Sequence, residues 1–453
     1  MQRDFFKINK PKCLLEQHVK RRKRQKIKKI KIFLYLILFP CFFLPAIGVI
    51  YYLGFQNPSD SVKKLIVQTN MKKKLPKPRM DIRTLGNLEK FPPVKLLVNL
   101  KDNSYLLTKM PTFDEGLCKS ESSLKAISRA GNIVFFTLNP ELQNYTRNIL
   151  QQAQVPHAAL VAIEPKTGKV IAIEGISNIK NFELYAGMPA ASLFKIVTAT
   201  AALEAGVLNA DSRIAYRGSD YTLNKYNFSP NDRLDTRYMS LSEALGKSCN
   251  PVFGRVALKY LNQATLMNYT NKFGFNEELP FDMLPPQSEA NIPESDYELS
   301  RTGAGFGDVH ISPLHAAMMM SGIANSGIIP RPYMIEKVVA PNGEIVYQNK
   351  PQVLQEVMNK DTAAELLRMM VKTTTMGTSR KYFRNFVVPV SAKTGTLQGT
   401  DPKGLTNWFI ASAPSNDPKV AIAIVTVHNG KYMKTSSQLG RMFLEKYFEV
   451  MEE

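Results

Sequence analysis

Ser192 and Lys195 stand three positions apart in AASLFKIVTATAALEAG, residues 190–206, a run otherwise dominated by apolar side chains. Leu193, Phe194, Ile196, Val197, Ala199, Ala201, Ala202 and Leu203 leave almost no polar face, and Gly206 supplies a stop, so the stretch reads as a helix inside a domain. Residues three apart share a helical face, which brings the Ser192 hydroxyl within reach of the Lys195 amine near the helix start. Burial disfavours the ammonium form. Lys195 would therefore accept the Ser192 proton near neutral pH, giving a serine nucleophile with its own base.

An S-x-x-K pair alone arises by chance, with its lysine reaching out to solvent. Two further motifs follow in order. Ser248-Cys249-Asn250 falls on a turn between two helices, and Lys393-Thr394-Gly395-Thr396 falls on a strand. Ser248 offers a hydroxyl that can pass a proton, and Asn250 an amide that can hold a peptide backbone. Lys393 offers positive charge, Thr394 and Thr396 offer hydroxyl donors, and Gly395 permits a close backbone approach.

The elements around these motifs are legible from caps and periodicity. A helix begins after Asn139 with Pro140 at its first position, and HAALVAIE and KVIAIEG form a hairpin over PKTG, with Gly168 in the turn. SLSE at 240–243 is a capping box for a helix that Gly246 ends, and a further helix starts with Pro251 at its first position. SPLHAAMMMSGIAN at 312–325 is a helix with a Met-rich core face, and DTAAELLRMMVKTTT is another. FVVPVSAKTGT, NWFIASAP and VAIAIVTVH are extended, the last two a hairpin, and 436–451 is helical. Strands pairing as hairpins among helices imply an α+β domain, an antiparallel sheet packed by helices.

Of the 453 residues 44% are hydrophobic and 21% charged, enough for one large core or two smaller ones. The net charge of +21 is concentrated near the N-terminus. Residues 1–31 carry thirteen Lys and Arg against Asp4 and Glu16, and residues 56–80 carry seven against Asp60. Between them lies the uncharged IFLYLILFPCFFLPAIGVIYYLGF, Ile32 to Phe55, long enough to span a bilayer and with Tyr51 and Tyr52 near one end. The basicity thus flanks a transmembrane signal anchor with a cytoplasmic tail; it is not a nucleic-acid surface. The expected organisation is a tail at 1–31, a transmembrane helix at 32–55, a stem at 56–80, a small strand-rich region at 81–135 and a catalytic domain at 136–453. Of the cysteines, Cys13 falls in the tail and Cys41 in the span, leaving Cys118 and Cys249 outside. No metal-ligand pattern appears, and no cofactor is expected.

The three motifs in this order resemble the S-x-x-K, S-D-N and K-T-G signature of class A β-lactamases and penicillin-binding proteins, with Cys249 where Ser or Asp is commoner. The spacing and the flanks LNPELQ, ALVAIEPKTGKVIAI, SLFKIVTATAALEAG, GFGDVHISPLHAAMMMSGIANSG, SAKTGT and NWFIASAP, from about Asn139 to about His428, resemble the penicillin-binding protein transpeptidase domain. The resemblance implies acyl transfer on peptidoglycan stem peptides ending in D-Ala-D-Ala, and acylation by β-lactams. It makes Ser192, Lys195 and Ser248 catalytic, and Asn250, Lys393, Thr394, Gly395 and Thr396 substrate-binding. It also implies an oxyanion hole from the backbone N–H groups of Ser192 and Thr396. Cys249 stands at a variable position of the second motif. Lys166-Thr167-Gly168 is a second K-T-G, assigned a turn role. The expected setting is the bacterial cytoplasmic membrane, single-pass, with the catalytic domain outside. A DD-transpeptidase working beside a separate glycosyltransferase is the first reading. A DD-carboxypeptidase, a class D-like β-lactamase or β-lactam sensor, and a cell-wall synthesis scaffold are the alternatives.

Overall fold

HAALVAI and VAIAIVTVH have no polar face along most of their length, and the computed structural model shows why. Every residue of strands His157–Ile163 and Val420–His428 is buried. Ala159, Val161 and Ile163 enter one core, together with Ala421, Ala423 and Val425. Ala158, Leu160 and Ala162 enter another, with Ile422 and Ile424, beneath helices Pro140–Gln152 and Ser436–Glu452. A sheet covered on both faces needs apolar residues at every position, so alternation disappears from the sequence.

The structure describes residues 77–452 apart from 86–87, 99–103, 114–121 and 431–433. The expected basic tail, the apolar span at 32–55, most of the stem, and Cys13, Cys41 and Cys118 lie outside the described residues. Among those described, no helix is long and apolar enough to cross a membrane.

The main sheet runs, from one edge to the other, Ser391–Thr400, Lys403–Ala413, Val420–His428, His157–Ile163 and Val170–Ile176, with every pair antiparallel. The strand carrying the third motif is therefore an edge strand, and its outer backbone edge is available to a ligand. A second sheet joins Pro93–Val94, Lys125–Ser128 and Ile133–Phe136 to Ile335–Val339 and Ile345–Gln348. Residues on both sides of position 135 thus contribute to one sheet. The domain is the α+β arrangement of an antiparallel sheet and packing helices.

Local signals translate directly into element ends. Asn139 Oδ1 accepts from the backbone N–H groups of Glu141 and Leu142, each at 3.0 Å, and opens the helix beginning at Pro140. Ser240 and Glu243 form the capping box of helix Leu241–Lys247. Gly168 turns the hairpin with φ +81°. Two expectations are corrected. Gly246 does not end its helix: the turn comes at Ser248, whose φ is +60°, and Gly246 instead makes room for Lys372, whose Cβ would lie 2.7 Å from an added Cβ. FVVPV does not join the sheet; the strand begins at Ser391, because Pro389 offers no N–H to a ladder.

Candidate active site

Ser192 lies in a tight 3-10 turn, Ala191–Phe194, that runs into helix Lys195–Glu204. Lys195 is fully buried, and its Nζ stands 2.7 Å from Ser192 Oγ, 2.7 Å from Asn250 Oδ1 and 2.6 Å from the Ala304 carbonyl. A neutral amine has two N–H bonds and one lone pair. Asn250 Oδ1 and Ala304 O can only accept, so they take both hydrogens and leave the lone pair facing Ser192. Burial draws the Lys195 ammonium down to about 7. Acylation of Ser192 is accordingly expected to rise about tenfold per pH unit below that value and to level off above it, because the base works only unprotonated. Stopped-flow acylation by a fluorescent penicillin from pH 5 to 9 checks this; a flat profile would remove Lys195 as the base.

The turn that carries Ser192 is held from several sides. Ala191 adopts φ +50°, a left-handed conformation that costs an L-residue energy. Gly305, at φ +90°, lies against it: an added Cβ would sit 2.3 Å from the Ala191 carbonyl oxygen and 3.0 Å from Ser192 N. Trp408 donates its indole N–H to Pro189 O at 2.9 Å. At Gly395 an added Cβ would lie 3.3 Å from Ala190 O, so the edge strand approaches this turn through its glycine. Gly305→Ala is expected to slow acylation by roughly 10- to 100-fold by displacing Ser192 from its base. An acylation rate within twofold of the parent would show that the turn tolerates the shift.

Ser248, buried in its left-handed turn, accepts from Lys393 Nζ at 2.8 Å, and Lys393 also donates to the Thr394 carbonyl at 2.8 Å. The second and third motifs are thereby joined. Burial first, and the nearby Lys195 second, hold the Lys393 ammonium well below its ordinary range, so its charge is favoured by an anion arriving beside it. Burial pushes the Cys249 thiol up to about 11, which keeps it from competing as a nucleophile. Asn250 donates its amide Nδ2 to Tyr221 O at 2.6 Å and its backbone N–H to Asp220 O at 2.7 Å. The Thr394 and Thr378 hydroxyls are 2.6 Å apart, and Asn407 Nδ2 donates to Thr396 Oγ1 at 3.0 Å.

The structure thus brings Ser192, Lys195, Ser248, Asn250 and the 393–396 strand to one place. Lys166-Thr167-Gly168 stays in its hairpin turn, with Lys166 exposed and 3.7 Å from Asp417. The carbonyls of Ala304, Asp220 and Tyr221 were invisible to motif reading, since every residue type carries a backbone carbonyl. Thr378 and Asn407 had no signal beyond polarity.

The carbonyls of Asp220 and Tyr221 belong to a loop stitched by buried charge. Asp235 accepts from Arg217 Nη1 at 2.7 Å, from Arg255 Nη2 at 2.9 Å and from Asn231 N at 2.8 Å, and Arg255 Nη1 reaches its other oxygen. The guanidiniums also donate to the carbonyls of Ala215, Asn227, Ser229 and Tyr226. Arg255 closes the helix that Asn250 opens.

An antiparallel sheet packed by helices, whose edge strand closes on a half-buried serine beside a buried lysine, defines the class of α+β domain. The chain belongs to the family described as the penicillin binding protein transpeptidase domain, whose model matches residues 158–445. It is 30% identical over 342 residues to the peptidoglycan D,D-transpeptidase PbpA of Mycobacterium tuberculosis, covering 67% of this chain and 68% of that protein. The structure of penicillin-binding protein A from M. tuberculosis as a ceftriaxone acyl-enzyme complex superposes with a TM-score of 0.58 at 27% identity, over 71% of this chain and 79% of the other. The D,D-transpeptidase domain of a peptidoglycan glycosyltransferase from Eggerthella lenta shares the fold, with a TM-score of 0.61 at 21% identity over 80% and 98% of the two chains.

Proposed function

We propose that the chain is a peptidoglycan DD-transpeptidase that is also acylated by β-lactams. The observation carrying this reading is the Lys195 amine, 2.7 Å from Ser192 Oγ with acceptors for both hydrogens of its neutral form at Asn250 Oδ1 and Ala304 O. Ser192 Oγ attacks the carbonyl carbon of the penultimate D-Ala, and Lys195 takes its proton. The carbon–nitrogen bond to the terminal D-Ala breaks, and the leaving nitrogen takes a proton through Ser248. An amine of a neighbouring stem peptide then attacks the ester, forming the cross-link and returning the proton to Ser192. The N–H groups of Ser192 and Thr396 stabilise the oxyanion of each tetrahedral intermediate. Asn250 holds the peptide backbone, while Lys393, Thr394 and Thr396 receive the terminal carboxylate along the strand edge that Gly395 keeps close.

In this reading residues 32–55 anchor the chain in the bacterial cytoplasmic membrane, 56–80 form a stem, and the domain from 136 onward acts outside, beside a separate glycosyltransferase. The test is product analysis with purified chain, a pentapeptide-stem donor and an amine acceptor. Cross-linked dimer with one D-Ala released per link is the expected result. D-Ala release without dimer would replace transpeptidation by carboxypeptidase action.

A further inference from the structure

Thr396 and Asn407 stand directly opposite each other across the edge pair of strands, and Asn407 stands opposite Thr426 in the next strand, a polar row across three strands. The orientation of the Asn407 amide follows from its other partner. Ser436 donates its backbone N–H to Asn407 Oδ1 at 3.1 Å, and a backbone N–H cannot accept. The nitrogen of the amide must therefore face Thr396, where Nδ2 lies 3.0 Å from Oγ1. Ser436, which sets this orientation, is itself held in place: its Oγ donates to the Asn407 backbone carbonyl at 2.5 Å, Thr426 Oγ1 lies 3.0 Å from Ser436 Oγ, and His428 Nε2 lies 3.0 Å from Thr426 Oγ1. Ser436, Thr426 and His428 are all buried.

An amide nitrogen only donates, so Thr396 Oγ1 is the acceptor in this pair and keeps its own hydrogen for another partner. We infer that Asn407 is a positioning residue that commits the Thr396 hydroxyl to donating toward the carboxylate of the bound substrate or β-lactam. The inference rests on the proposed transpeptidase reading, which places that carboxylate at the 393–396 strand. Asn407 touches no reacting atom and acts through Thr396, with the start of helix Ser436–Glu452 behind it.

The test uses the full-length chain and compares second-order acylation rates for benzylpenicillin and for its methyl ester, which lacks the anionic carboxylate. In Asn407→Asp the new carboxylate still accepts from Ser436 N but now draws the Thr396 hydrogen to itself. The expected result is a loss of about tenfold or more with the free acid and less than about twofold with the ester. Asn407→Ala removes the donor without adding charge and should shift the acid-to-ester ratio in the same direction by a smaller factor; it decides the matter where Asn407→Asp does not fold. Equal losses with both compounds, or an unchanged ratio, would reduce Asn407 to a packing role and overturn the inference. Failure of the unaltered chain to be acylated by either compound would instead remove the functional reading on which it rests.

Discussion

Ser192→Ala is expected to abolish covalent modification of this chain by penicillin, with the acylation rate falling by a factor on the order of 10³ or more. The serine oxygen is the only part of the proposed nucleophile that forms a bond, and Lys195, left with its lone pair facing a methyl group, has no proton to take. The substitution removes one hydrogen bond from a half-buried position, so the thermal midpoint should move by no more than about 2 °C. Intact-mass spectrometry after incubation with penicillin reads the result. A stoichiometric adduct on the Ser192→Ala variant, with the parent fold retained, would move the nucleophile elsewhere and dismantle the proposed mechanism.

Asp235→Asn should produce the largest loss of stability from any single change described, about 3–5 kcal/mol, because it strips the anion from two buried guanidiniums. Arg217, Asp235 and Arg255 are all buried, so water cannot replace the missing partner. Burial by itself would raise the Asp235 pKa, yet the hydrogen bonds from Arg255, Asn231 N and Arg217 outweigh it and hold the carboxyl down to about 2. The unfolded chain protonates this group near its ordinary value of about 3.9. The stabilisation is therefore complete above that pH and is lost as pH falls toward 2. Urea midpoints of parent and variant should differ widely at pH 7 and converge toward pH 2. Coincident midpoints at pH 7 would show that the loop does not depend on its buried anion. Acylation should weaken along with stability, since the same loop supplies the Asp220 and Tyr221 carbonyls that hold Asn250.

Short-range geometry was the most legible part of the chain. The Asn139 cap, the Ser240–Glu243 capping box and the Gly168 turn depend on residues within a few positions of each other, so their signals survive in any tertiary context. Of the two misplaced boundaries, the strand start at Ser391 had its cause in the neighbouring Pro389, whereas the helix end was decided from a distance. Gly246 resembles a helix stop, but its missing side chain admits Lys372 from another helix. The Val420–His428 run gives no alternation to read because helices cover both faces of its sheet.

Sequence alone placed Ser192 and Lys195 one turn apart and within reach of each other, and ordered motifs pointed to Ser248, Asn250 and the 393–396 strand. It could not determine the state of the lysine. That depends on complete burial and on acceptors at Asn250 and Ala304, which lie 55 and 109 positions away. Only tertiary structure decided where the hydrogens and lone pair of Lys195 point, that Ser248 is tied to Lys393, and which way the Asn407 amide faces. The physical reason is that hydrogen-bond direction and desolvation are properties of assembled neighbours, many of them backbone groups common to all twenty residue types.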